Sequence, residues 1–166
     1  MKKYMFVSLM TALVSASALF FMACSDDDNK DMEKPAISSN METDNPINCQ
    51  IYHRGEVIPF RYTFTDNVEL GNFNIEIHSN HDHHTHSTEA TECEEEHEHE
   101  DVKPVNPWVF SQDYTIPAGQ QLYAASVDIP IPTDIDTGDY HFMIRVTDHA
   151  GFQQIKSVAI EIEEQE

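Results

Sequence analysis

The segment from His78 to His86 reads H-S-N-H-D-H-H-T-H and is dense in potential metal ligands. Between His78 and Asp101 lie seven of the ten histidines of the chain, nine carboxylates, and no Lys or Arg. Imidazole nitrogens beside carboxylates, with no competing cation, form a ligand set that divalent transition metals prefer. The pattern predicts a metal-binding element, and the alternative is a passive, solvated polar loop.

In an extended chain, residues two apart point the same way. His81 therefore pairs with His83, and His84 pairs with His86. Three histidines with a carboxylate or a water suit Zn²⁺, and the same set accepts Cu²⁺ or nickel. Zn²⁺ is the preferred ion. The predicted metal ligands are His78, His81, His83, His84, His86 and His141, of which His78, His83, His86 and His141 are preferred, while Asp82 is an alternate.

A second cluster at Glu92–Glu100 contains His97 and His99. It resembles the acidic histidine loops of zinc-uptake binding proteins, but a solvated charge run is the favoured interpretation. No role is predicted for His53 or His149.

The amino terminus has the pattern of a secretory signal peptide over residues 1–23, with two basic residues followed by an apolar stretch. Phe21-Met22-Ala23-Cys24 resembles a bacterial lipobox, which predicts lipidation of Cys24. The following Ser25–Asp28 resembles the export signal of Bacteroidota surface lipoproteins. These features predict a lipid-anchored, surface-exposed protein of the outer membrane, and the alternatives are a transmembrane anchor or a plain cleaved signal.

The charge of the chain limits its partners. Without Lys2 and Lys3, seven basic residues face thirty acidic ones, a formal charge of −23. Such a chain is repelled by nucleic acid and by anionic lipid. Nucleic-acid binding is excluded, and acyl chains are expected to provide the membrane attachment.

Two cysteines, Cys49 and Cys93, remain after Cys24. Outside the cytoplasm such a pair commonly forms a disulfide. A Cys49–Cys93 bond would contribute roughly 4 kcal/mol in the chain-entropy model. The alternatives are two free thiols, or Cys93 as a metal ligand.

Residues 24–47 are polar and contain two prolines, and we predict a flexible acidic tether. From residue 48 to 166 the pattern is one of short alternating strands separated by turns, with a histidine- and glutamate-rich insertion at 79–107 after the third strand. The predicted strands are Gln50–His53, Val57–Thr65, Asn72–His78, Trp108–Phe110, Gln121–Ile129, Gly138–Thr147 and Phe152–Ile162.

Six or seven such strands suggest an all-β fold, an immunoglobulin/cadherin-like antiparallel β-sandwich. Asp136-Thr137-Gly138-Asp139-Tyr140 resembles the D-x-G-x-Y tyrosine corner of these domains, and Val146–Gln153 resembles their last hairpin. A different all-β fold is the alternative.

This fold makes a geometric prediction about two histidines. The third strand and the strand that begins at Gly138 are expected to be antiparallel neighbours. The end of one, His78, should therefore meet the start of the other, His141. Both residues are out of phase with the predicted core positions, so both side chains are expected to turn outward.

No catalytic motif is present in the chain, which has no G-x-S-x-G, no cysteine–histidine pair placed as a nucleophile and no glycine-rich phosphate loop. A zinc-bound water is a nucleophile in principle. With no general base beyond loop glutamates, we predict that the protein is not an enzyme.

Several segments of the chain together resemble an uncharacterised family of Bacteroidota lipoproteins with an Ig-like domain and a His-rich motif (domain of unknown function 4625). The segments are the lipobox, Gly55–Phe60, Thr65–Gly71, Ile77–Glu89, Asp136–Phe142 and Thr147–Phe152. The resemblance implies an extracytoplasmic Ig-like domain and no established activity. Two functions are compatible with it. One is capture or buffering of a transition metal at the cell surface, with an outer-membrane transporter or surface protein as partner. The other is a structural or adhesive module.

Overall fold

In the computed structural model, residues 30–80 and 104–165 are described, and they contain β-strands with no helix among them. Each predicted strand is present. The strand ends lie within two residues of the predicted ones, except that β5 extends beyond its predicted end. The signal peptide predicted at 1–23, the lipidation of Cys24 and most of the insertion lie outside the described residues. The strands are β1 (Ala36–Ile37), β2 (Gln50–His53), β3 (Val57–Thr65), β4 (Leu70–Ser79), β5 (Val109–Thr115), β6 (Leu122–Pro130), β7 (Gly138–Asp148) and β8 (Gln153–Glu163).

The strands form two sheets that face each other as an immunoglobulin-like β-sandwich. The smaller sheet has the order β1-β3-β6, and the larger has the order β2-β8-β7-β4-β5. All neighbours are antiparallel except β2 and β8, which are parallel. Within the described segments no helix has the length and apolar character needed to span a bilayer.

Aromatic side chains join the two sheets. The ring of Phe60 on β3 lies 5.9 Å from the ring of Phe142 on β7 and 5.9 Å from that of Phe73 on β4. Burying side chains of this size contributes roughly 1.5–3 kcal/mol each. The alternating apolar residues of β3, β4 and β7 are all buried: Ile58, Phe60, Tyr62, Phe64, Phe73, Ile75, Ile77, Tyr140, Phe142, Ile144 and Val146.

The tyrosine corner is present. The Tyr140 hydroxyl donates to the carbonyl oxygen of Asp136 at 2.7 Å and accepts from the Trp108 amide at 3.2 Å. Burial raises the pKa of Tyr140, so the hydroxyl stays protonated as a donor. The Asp136 carboxylate also accepts from the amides of Val105 and Asn106 at 2.7 and 2.8 Å. The chain that returns from the insertion is therefore fixed to the start of β7.

From Asp31 onward, the segment before β2 packs with the strands and is not the flexible tether that the sequence predicts. It belongs to the same compact unit as the strands. β1 pairs with β3, and the Tyr62 hydroxyl donates to the carbonyl oxygen of Pro46 at 2.5 Å. Without this segment β3 would be an edge strand with unpaired backbone groups, and covering such an edge is a common solution. The polar composition of the segment concealed this role.

Candidate metal centre

His78 and His141 lie directly opposite each other on β4 and β7, as the strand order predicts. Their ring centroids are 5.5 Å apart and the ring planes are inclined by 54°. Two imidazoles bound to one tetrahedral zinc, each at about 2 Å, have centroids about 5 Å apart. The centroid separation of the pair is therefore compatible with two ligands on one ion.

A carboxylate lies beside the first of these histidines. Glu76 is two residues from His78 on the same face of β4, and its Oε1 is 3.3 Å from Nδ1 of His78. Metal-binding histidines commonly have a carboxylate at the ring nitrogen that does not ligate, which orients the ring and raises its basicity. Such an arrangement leaves Nε2 of His78 as the ring nitrogen available to a ligand.

His141 faces outward from the sheet as predicted, but its side chain is buried. The alternation of β7 places it on the outer face of the sheet with Met143 and Arg145, as expected. It is nevertheless only 4% exposed, whereas those two residues are half-buried. Facing outward from a sheet therefore does not mean facing solvent at this position.

Cys49 lies at the same level of the sheet. Its amide donates to the carbonyl oxygen of Ala159 at 2.8 Å, and the Ala159 amide donates to the side-chain oxygen of Asn48 at 2.9 Å. Ala159 in turn lies opposite His141. One row across the sheet thus runs from Cys49 through Ala159 and His141 to His78.

The sulfur of Cys49 is in a disulfide bond. Its predicted partner Cys93 lies outside the described residues, so that pairing stays a prediction. The other predicted ligands also lie outside the described residues and are likewise untested: His81, His83, His84 and His86, with the alternate Asp82.

The two histidines without a predicted role are elsewhere. His53 lies between Glu56 and Glu163, each 3.4 Å from one of its ring nitrogens. His149 is exposed in the turn after β7. Neither belongs to the row of Cys49, Ala159, His141 and His78.

Comparison with protein families shows which family the chain belongs to. The model of the family described as "Domain of unknown function (DUF4625)" matches residues 22–163. The chain belongs to this family. The match includes both strands of the histidine pair, so the candidate centre lies within the DUF4625 domain.

Among solved structures, the DUF4625 domain is similar to one titled "GspB Siglec domain". The identity is 17% and the TM-score 0.41, and the match covers 81% of this chain and 60% of that one. The chain thus spans less than two thirds of that structure's length. A search of curated proteins gives no match.

Sequence reasoning missed a second group of potential ligands in the DUF4625 domain. Asp31, Asp66 and Asp148 each place one ligand atom within 4.8 Å of the others. Asp66 and Asp148 lie at strand ends, in the sequence patterns D-N and T-D-H-A-G. A predicted strand order could have identified these two aspartates as neighbours. Asp31 lies in the segment that was predicted to be a tether and had no such signal.

Proposed function

We propose that this DUF4625 chain is a cell-surface lipoprotein that binds a divalent transition metal, Zn²⁺ with Cu²⁺ as the alternative. His78 and His141 are the two ligands supplied by the sheet. The remaining ligands come from His81, His83, His84 and His86, which follow directly after β4. The role of binding is capture or buffering of the metal, for delivery to an outer-membrane transporter or another surface partner.

The observation that carries the proposal is the cross-strand histidine pair. The pair has a ring separation suited to one ion, a carboxylate at Nδ1 of His78, and one deeply buried member. Ligands held by paired strands are more rigid than ligands on a loop, so the pair reduces the ordering cost of binding. A lone strand-end histidine would supply none of these features.

The disulfide supports the same arrangement. Cys49 ends the row that contains His141 and His78, and it is disulfide-bonded. A bond to Cys93 would tie the end of the histidine-rich segment to this row. The four histidines between residues 80 and 87 would then be tethered on both sides to the face that presents His78.

The proposal includes no catalytic role. Family membership and an immunoglobulin-like fold fit a binding module. A lipid on Cys24 would hold the module at the outer membrane, because the acidic protein surface has no attraction for anionic headgroups.

The test is a calorimetric titration of the full-length chain with ZnCl₂ and, separately, CuCl₂. We expect one ion per chain, and we expect the His78→Ala/His141→Ala double variant to lose at least a hundredfold in affinity, since each lost imidazole ligand removes tenfold or more. The matched control is His53→Ala/His149→Ala, which removes two histidines outside the row.

Weak binding of several ions, equal in both double variants, would overturn the proposal. The histidines would then form a solvated polar loop. The structural or adhesive module would become the better description of the chain.

A further inference from the structure

Three aspartates converge at the end of the sandwich opposite the histidine pair. Asp31 precedes β1, Asp66 follows β3, and Asp148 is the last residue of β7. One ligand atom of each lies within 4.8 Å of the ligand atoms of the other two. Oxygens on opposite sides of a calcium ion are separated by about 5 Å, since Ca–O distances are about 2.3–2.6 Å. The cluster therefore has the dimensions of one coordination sphere.

In each aspartate, Oδ1 shapes the local turn. Oδ1 of Asp66 accepts from the amides of Val68 and Glu69 at 2.8 and 2.7 Å. Oδ1 of Asp148 accepts from the amides at positions 151 and 152 at 2.6 and 2.8 Å. Oδ1 of Asp31 accepts from the amide at position 33 at 3.2 Å. These bonds fix the orientation of each carboxylate.

The second oxygen of each carboxylate has no such use. Oδ2 of Asp31, Asp66 and Asp148 is in each case buried and without a hydrogen-bond partner. Asp148 is 3% exposed and Asp31 is 8% exposed. A buried carboxylate oxygen with no partner is costly, and three together repel one another.

Among the described residues, no basic side chain forms an ion pair that offsets this charge. In residues 30–80 and 104–165, the ion pairs of Lys, Arg and His involve none of the three aspartates. A cation held between the three carboxylates would offset this charge.

The surrounding backbone holds the cluster in place. The amide of His149 donates to the carbonyl oxygen of Glu69 at 2.9 Å, which joins the Asp66 and Asp148 turns. β4 approaches closely at Gly71, where a Cβ would lie 3.0 Å from the carbonyl oxygen of Asp148. The pairing of β1 with the end of β3 brings Asp31 to the same place. The carboxylates are thus held in place by backbone hydrogen bonds and strand pairing.

We propose that Asp31, Asp66 and Asp148 form a binding site for Ca²⁺. All three donors are hard carboxylate oxygens, with no imidazole or thiolate among them, which disfavours Zn²⁺ and Cu²⁺. Mg²⁺ usually keeps several waters and takes one or two carboxylates, whereas Ca²⁺ accepts several carboxylates in a flexible geometry. This site shares no residue with the histidine pair and does not depend on the function proposed for that pair.

Ca²⁺ at this site would link the amino-terminal segment to the sandwich. Asp31 belongs to the segment that leads into β1, whereas Asp66 follows β3 of the smaller sheet and Asp148 ends β7 of the larger sheet. One ion would therefore cross-link three separate parts of the chain. The expected consequence is that Ca²⁺ stabilises the packing of the segment before β1 against the two sheets.

The experiment is thermal unfolding and calorimetry of the full-length chain in CaCl₂ and in EGTA. At a free Ca²⁺ concentration a hundred times the Kd, we expect Tm to rise by about 5–10 °C. Asp148→Asn and Asp31→Asn keep Oδ1 and its turn but lose the charged Oδ2. Each should weaken Ca²⁺ binding by roughly tenfold or more, because carboxylate charge sets affinity at such sites.

The change in stability that each Asn variant shows without calcium distinguishes a cation site from an aspartate cluster that only stabilises the fold. In EGTA each Asn variant should be at least as stable as the natural chain, because it relieves repulsion, whereas in CaCl₂ it should be less stable. Asp134→Asn, at an exposed position, is the control and should leave the calcium response unchanged. An equal Tm in CaCl₂ and EGTA for the natural chain, or the same calcium response in all variants, would overturn the proposal.

Discussion

The two ends of the β4–β7 ladder differ in the kind of donor that they present. At one end His78 and His141 offer imidazole nitrogens, and at the other Asp148, with Asp31 and Asp66, offers carboxylate oxygens. Asp148 lies seven positions after His141 along β7, which corresponds to about 24 Å. Imidazole and carboxylate donors are thus kept apart by the length of one strand, so that two different metals would not compete for one site.

The difference follows from the local structure of each end. The histidines lie within paired strands, where alternation points two side chains in the same direction. The aspartates lie mainly in turns, where a carboxylate oxygen is already needed to accept backbone amides. Folding uses one oxygen of each aspartate and leaves the other available. A turn can therefore supply a metal ligand with no residue added for that purpose.

The largest expected effect comes from breaking the ladder that joins the two ends. Ile144 lies midway along β7, is fully buried and faces Ile75 of β4. Ile144→Ala should lower the free energy of unfolding by about 2–5 kcal/mol, because it removes apolar contacts and leaves a cavity. Chemical denaturation followed by circular dichroism measures this change.

Val109→Ala, at a 72% exposed position, is the control and should change stability by about 0.5 kcal/mol or less. Ile144→Ala should also retain a single transition that both metals shift. Two separate transitions, with zinc affecting one and calcium the other, would show that the ends are independent units.

A smaller effect should be confined to the carboxylate end. In Gly71→Ala the new Cβ would lie 3.0 and 3.1 Å from the carbonyl oxygens of Asp148 and Thr147. We expect a loss of about 1–3 kcal/mol in stability, since the strands must shift apart. Calcium affinity should fall with it, while zinc affinity stays the same. Asn72→Ala, at the next and exposed position, is the control, and calorimetry of both variants with both metals makes the comparison.

The smallest effect concerns the histidine end. Glu76→Gln removes the charge beside Nδ1 of His78, and substitution of such a supporting carboxylate typically lowers metal affinity about tenfold, or about 1.4 kcal/mol. Calcium binding should not change. Glu56→Gln alters the corresponding histidine–glutamate contact at His53 and should leave zinc binding intact. Equal zinc affinity in the Glu76 and Glu56 variants would contradict the role given to Glu76.

Most of the fold was predictable because the core positions alternate. The run from Val57 to Thr65 has a buried residue at every second position, and the structure has β3 at those bounds. β5 extends to Thr115, beyond the predicted end at Phe110, because its residues are mostly exposed and the alternation signal is lost. β1 has only two residues, and its pairing with β3 rather than any pattern of its own defines it.

The two candidate sites were not equally predictable. The meeting of His78 and His141 follows from strand order and phase, both of which can be read from local pattern. The burial of His141 does not, because it depends on what covers the sheet. The aspartate cluster joins residues 35 and 82 positions apart, each of which resembles an ordinary turn residue. Only the pairing of β1 with β3 brings the first of them to the others.

The parallel pairing of β2 with β8 has a mechanical consequence. Gln50–His53 lie beside Ile160–Glu163 and run in the same direction. A pulling force between the chain that enters β2 and the chain that leaves β8 therefore acts along both strands in opposite senses. Their hydrogen bonds are loaded together in shear and do not open one at a time. A pull applied between these two points would be resisted first at this pair.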